Sequence, residues 1–168
     1  MSIAQALLPE FDQEMAVTRN LLACVPAERA EWRPHPRSTA LGALASHIAS
    51  LSGFGVPTLA GSELDMNPPG GPGFVPPTFT TTEALLETFD ANVAATRAAI
   101  AGASDEELKV SWSLKTGGHS IFTMPRAAVL RGMLMNHIIH HRGQLSVYLR
   151  LNDVPLPSIY GPTADTPM

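Results

Sequence analysis

Residues 125–151 read PRAAVLRGMLMNHIIHHRGQLSVYLRL. At helical spacing Leu130, Leu134, His137, His141, Leu145 and Tyr148 form one stripe, with steps of three and four residues. Two histidines therefore stand where an amphipathic helix turns its apolar face toward a core. Residues four apart share a helix face, with Cβ atoms roughly 5–6 Å apart, close enough for two imidazoles to hold one metal ion. Buried imidazole nitrogens without partners would cost about 1–3 kcal/mol each. Either hydrogen bonds from neighbouring groups or a bound ion must compensate them.

Outward from this stretch the chain reads as further helices. Upstream, Val110, Trp112 and Leu114 alternate before Thr116-Gly117-Gly118 and a second β-prone run, which predicts a small hairpin just ahead of the last helix. Ser104 with Glu107 forms a capping box for a short helical turn, and Thr80 with Glu83 forms one that opens a third helix. That helix carries Leu85 or Leu86, Phe89, Val93, Thr96 and Ile100 and ends at Gly102. A second helix, from about 39 to 60, has Leu44, His47, Leu51 and Phe54 on one stripe and Ser38 or Thr39 as its N-cap. Gly53, Gly55 and Pro57 predict a bent distal end. A first helix over residues 3–24 carries Leu7, Phe11, Met15, Thr18, Leu22 and Val25, with Pro9 kinking or restarting its first turns. The stretch from 61 to 79, GSELDMNPPGGPGFVPPTF, is too rich in Pro and Gly for a regular element and reads as a long surface crossover. Asn152 suits a helix-ending αL residue, and the proline-rich tail beyond it suits an extended strap able to carry Tyr160 and Asp165 over the bundle.

These elements predict an all-α four-helix bundle with a small β-hairpin, in a single domain spanning residues 1–168. Of 168 residues, 11 are Lys or Arg and 15 are Asp or Glu, a formal net charge of −4 with no basic cluster to follow a phosphate backbone. Nucleic acid is thereby disfavoured as a partner. No uncharged apolar run approaches the ~20 residues of a membrane span, and the first residues lack a signal-peptide pattern, so the expectation is a cytoplasmic protein without membrane contact. Cys24 has no second cysteine to pair with and sits in LLACV, the setting of a small core hydrophobe.

His47, His137 and His141 all occupy stripe positions, and bundles build metal sites from inward-facing side chains of this kind. Neutral imidazoles suit zinc, nickel, iron or copper. Three protein ligands would leave a position for water or substrate, as in reactive zinc sites. The competing reading makes all three hydrogen-bonded core histidines. His140 lies about 60° from the stripe centre, which places it on a flank or at a subunit contact. Asn136, Arg142 and Gln144 are available as hydrogen-bonding neighbours, and His35, between two prolines, reads as a solvated loop residue.

The run NHIIHHRGQLSVYLRLNDVPLPSIYGPTAD, together with WRPHPRSTALGALASHIASL upstream, resembles the DinB/YfiT-like family of metal-dependent enzymes. The likeness extends to helix order over nearly the whole chain. It maps the family's H…HxxxH ligand set onto His47, His137 and His141, and its HRGQ run onto His141, Arg142, Gly143 and Gln144. It implies an up-down-down-up bundle, a homodimer, and a bound divalent zinc, nickel or iron. Characterised relatives use low-molecular-weight thiols such as bacillithiol or mycothiol. The resemblance therefore implies a thiol-dependent S-transferase, or a hydrolase, acting on small electrophilic molecules. The alternative is a non-catalytic metal- or ligand-binding protein of a stress response. The catalytic and thiol-binding residues are not specified by the motif.

Overall fold

The computed structural model describes residues 1–167. It is mostly helical, with a small three-stranded mixed sheet. Its helices are α1 (Ile3–Leu22), α2 (Leu41–Leu51), α3 (Gly55–Ala60), α4 (Thr82–Gly102), α5 (Asp105–Lys109) and α6, a composite. The α6 helix runs through Arg126–Val129, a π-helical stretch Leu130–Asn136, and His137–Leu151. The strands are β1 (Glu63–Asp65), β2 (Ser111–Thr116) and β3 (His119–Pro125). The longest helices close a ring in which α1 and α2 each pack against both α4 and α6. Phe11, Leu22, Leu41, Ile48, Phe89, Ile100, Leu134 and Leu145 are buried at its centre. No helix among the described residues is long and apolar enough to cross a membrane.

Several helix ends differ from the sequence reading, each for a local reason. The third helix is capped by Thr81, whose hydroxyl accepts from the Ala84 N–H at 3.1 Å, rather than by Thr80. The second helix has no side-chain cap from Ser38 or Thr39. Instead the N–H groups of Leu41 and Gly42 donate to the carbonyls of Trp32 (2.8 Å) and Ala30 (2.9 Å), so the loop before it supplies the cap as backbone. Pro9 interrupts nothing: α1 is assigned without a break, and Ser2 and Gln5 complete a capping box at its start. At the end of α6 the residue with positive φ is Asp153 (57°), not Asn152. The Ser104–Glu107 box is present as read.

The bend foreseen near Gly53 and Gly55 is a full break between α2 and α3. Breaking a helix frees carbonyls, and α4 satisfies them: Asn92 Nδ2 donates to Ala49 O at 2.9 Å and Thr96 Oγ1 donates to Ser52 O at 2.6 Å. Such close approach requires glycine. A Cβ on Gly55 would lie 2.4 Å from Thr96 Cγ2. Gly55→Ala is therefore expected to destabilise the protein by about 1–3 kcal/mol through overpacking, read as a lowered urea midpoint with unchanged slope.

The small hairpin is present, with Gly117 and Gly118 at φ 59° and 79° in its turn. The crossover from 61 to 79, however, contributes a strand. Residues Glu63–Asp65 pair in parallel with Ser113–Lys115, which makes the hairpin a three-stranded sheet. The Asp65 carboxylate fixes the join by accepting from the N–H groups of Asn67 (2.9 Å), Gly117 (3.0 Å) and Gly118 (2.7 Å). Those bonds hold its pKa below the usual carboxylate value, against an opposing desolvation that is the largest single influence.

Candidate metal centre

His47 comes from the middle of α2, and His137 and His141 from successive turns of α6 just beyond the π-helical stretch. Contact between α2 and α6 brings the three together. The ring centroids are 5.4 Å (His47–His137), 4.7 Å (His47–His141) and 4.6 Å (His137–His141) apart. One ring nitrogen from each lies within 4.8 Å of the other two. All three side chains are half-buried, and no fourth His, Cys, Asp or Glu joins the group among the described residues.

The donor set suits a divalent transition metal by two further observations. Imidazoles this close repel when protonated, and the fold favours the neutral ring at two of them: His47 is lowered to about 4, by desolvation first and then by His141 and His137. His137 is lowered in the same direction, mainly by desolvation and then by His141, while the Met133 carbonyl one turn earlier opposes the shift. Neutral rings are the ligating form. Second, His141 Nδ1 lies 2.7 Å from Gln144 Oε1, a pairing that makes Nδ1 the donor and leaves Nε2 with its lone pair free. His137 Nδ1, in contrast, is buried and faces the Met133 carbonyl without a hydrogen bond of good geometry. The hydrogen-bonded-core account would require each ring to be well satisfied by protein groups, and this one meets that requirement poorly.

Two expected outcomes follow from this arrangement. Gln144→Leu should weaken metal binding by about 10–100-fold, the usual cost of losing the group that orients a histidine ligand, with competition against a chromogenic chelator as the readout. The second concerns pH. His47 takes up a proton near 4 in the fold but near 6.5 in the unfolded chain, so between those values the unfolded state binds more protons. Stability of the metal-free protein must fall as pH drops from about 6.5 toward 4. Across that window the melting temperature of wild type should fall relative to that of His47→Gln, which lacks the titrating group.

The chain's other histidines, and the neighbours singled out from the sequence, are dispersed. His140 is exposed, its ring 4.9 Å from that of His141 but outside the cluster. His35 and His119 are exposed elsewhere, His35 Nδ1 accepting from the Arg37 N–H at 3.2 Å. Asn136 is exposed as well. Cys24 is half-buried against the core, its thiol raised by desolvation, as suits a packing residue. Trp32 stacks edge-on against Tyr148 at 5.6 Å.

Arg142 points away from the histidines. It is fully buried, with its guanidinium 2.7 Å from Glu14 Oε2, 3.1 Å from Glu14 O and 3.2 Å from Thr18 Oγ1. Tyr160 from the tail completes the group. Its hydroxyl accepts from Arg142 at 2.5 Å and faces both Glu14 carboxylate oxygens at 2.9 and 3.0 Å. Asp165 pairs with Arg150, so both tail residues do reach the bundle. Glu14 escaped the sequence reading, although a carboxylate adjoining Met15 and four residues before Thr18 on a buried stripe was a visible signal.

Two cavities adjoin the histidines. One, of about 530 Å³, is walled by Arg37, Thr39, His47, His141, Gln144 and Tyr148 and by Pro76 and Pro77 of the crossover. The other, of about 390 Å³, is walled by His47 and His137 with Phe54, Met66, Phe74, Leu114 and Met133. His47 belongs to both. Neither has an aspartate or glutamate in its wall.

The fold recurs in solved structures. A DinB-like protein from Bacillus cereus ATCC 10987 superposes with a TM-score of 0.70 at 23% identity, over 93% of this chain and 97% of that one. The DinB-like protein YjoA from Bacillus subtilis gives 0.68 at 21% identity, over 92% and 97%. No curated protein matches. The family model for the DinB superfamily matches residues 10–145, a span that holds all three histidines and the helices that position them, and the chain belongs to that superfamily.

Proposed function

We propose that His47, His137 and His141 hold a divalent zinc, nickel or iron ion, and that the protein is a metal-dependent transferase joining a small thiol to an electrophilic molecule. The observation that carries this reading is the cluster of three ring nitrogens within 4.8 Å of one another, set in the shared wall of two cavities. Such an ion, when bound, would supply Lewis acidity and lower the pKa of a thiol or water at its open position.

What the chain itself contributes is positional. Gln144 fixes the His141 tautomer, and burial holds His47 and His137 in their neutral form. The cavity walls provide space on either side for two reactants. Hydrolysis by a protein-assisted water needs a general base, commonly a carboxylate or a free histidine within hydrogen-bond reach. No carboxylate lines either cavity, and the three histidines there are committed as ligands. Thiol transfer needs no such base once the thiol is ionised, and this ranks it above the hydrolase alternative. A non-catalytic, purely structural metal is disfavoured by the lack of a fourth ligand in the group.

The test is a panel of low-molecular-weight thiols and electrophiles assayed with metal-loaded, chelator-stripped and reconstituted protein. Thioether formation that disappears on stripping and returns with metal is the expected result. Metal bound at about one per chain with a blank panel, and a melting temperature that falls on chelation, would instead favour the storage or structural reading.

A further inference from the structure

We infer that the two cavities are separate compartments for two ligands of opposite character: an uncharged apolar molecule on the His137 side and an anionic one, held by Arg37, on the His141 side. The inference rests on the proposed function for the identity of the reaction, though the sorting of ligands depends only on the cavity walls.

The argument begins with charge. The chain carries 15 acidic residues against 11 basic ones, yet no acidic side chain lines either compartment. The only formally charged side chain in either wall is Arg37. It is exposed and takes part in no ion pair among the described residues. The Arg37 compartment is therefore electropositive in a protein that is acidic overall, the pattern that draws and orients anions. Around it Ser38, Thr39, Gln144 and Tyr148 offer hydrogen-bonding groups.

The other compartment is built for the opposite ligand. Phe54, Met66, Phe74, Leu114 and Met133 surround it, no charged group enters its wall, and two methionines allow it to adapt in shape. Its walls come from α2 and the α2–α3 break, the small sheet, Asn92 of α4, and α6 around the end of its π-helical part. The crossover closes both spaces, with Met66 and Phe74 over the apolar one and Pro76 and Pro77 over the other. One continuous segment thus covers two unlike chambers, and the histidines stand between them.

The experiment uses methyl-labelled full-length protein, with and without zinc, and simple probes observed by NMR. Toluene should shift the Met66 and Met133 methyl signals and leave Ala43 and Leu44, which line the Arg37 compartment, unmoved. Propionate should shift Ala43 and Leu44, bind several-fold more tightly than neutral propionamide, and lose that advantage in Arg37→Gln and in high salt. Phe74→Ser, a change at a half-exposed position that spares the core, should weaken toluene binding without affecting propionate. Toluene and propionate competing for the same signals, equal binding of propionate and propionamide, or an advantage that survives Arg37→Gln would overturn the inference. If zinc fails to bind while the probes still sort, the proposed function falls and the two compartments stand. If metal-dependent thioether formation is found and the probes do not sort, the two compartments fall and the proposed function stands.

Discussion

His47→Ala is expected to abolish stoichiometric metal binding, reducing affinity well beyond the ~10–100-fold that follows loss of an outer hydrogen-bonding partner. The reason is geometric. His137 and His141 belong to one helix and present two nitrogens from one side, and His47 is the only ligand candidate supplied by α2. Without it two neutral nitrogens remain, and an ion with two protein ligands gives up the enthalpy of the third while still ordering the pair. His47 stands at an α2 position flanked by buried Leu44, Ile48 and Leu51, so the helix should persist in the variant. Metal content by mass spectrometry of protein purified without added metal, alongside circular dichroism, separates the outcomes. A folded His47→Ala protein retaining about one metal per chain would remove the three-histidine centre from consideration.

Arg142→Ala should produce the largest loss of stability, about 3–5 kcal/mol, because it strands Glu14 as an uncompensated buried charge. Glu14 and Arg142 are both almost completely buried, and the guanidinium also serves the Glu14 carbonyl, the Thr18 hydroxyl and Tyr160. At roughly 2–4 °C per kcal/mol for a chain of this size, the melting temperature should fall by about 6–20 °C. The penalty belongs to the broken pair rather than to the pair's own worth. Glu14→Leu combined with Arg142→Met should therefore recover much of the loss, since an apolar replacement of both partners leaves no buried charge unpaired. If the double variant is as unstable as the sum of the single ones, the two residues do not act as a unit.

The histidine cluster was legible in the sequence because it depends on periodicity. His137 and His141 share a helix face by spacing alone, and His47 sits on the stripe of a second helix. Their convergence needed only two stripes to meet. The parallel strand Glu63–Asp65 was not legible, since three residues are too few to show alternation and its partner lies some fifty positions away. The cap of α2 was hidden for a related reason: backbone carbonyls of Ala30 and Trp32 supply it, and every residue type has a carbonyl. Arg142 was visible as a neighbour of the histidines, but its direction was not. Successive residues on a helix diverge by about 100°, which sends His141 to the cavity and Arg142 to the interface with α1.

The π-helical stretch Leu130–Asn136 acts as a phase adjuster. Val129, ahead of it, packs with Trp112 and Leu114 of the sheet cluster, whereas Ile138, Leu145 and Leu149, behind it, pack in the bundle. Each wider turn accommodates extra residues for the same rotation, so the two ends of α6 can keep different angular settings. Trimming one residue from this stretch would let the helix tighten toward α geometry, so that fewer residues cover the same rotation and His137 and His141 keep their angular setting. The same loss from an ordinary α-helical segment would turn everything beyond it by about 100°, so the wide turn makes the aim of the histidine pair tolerant of a change in length that a regular helix would not absorb.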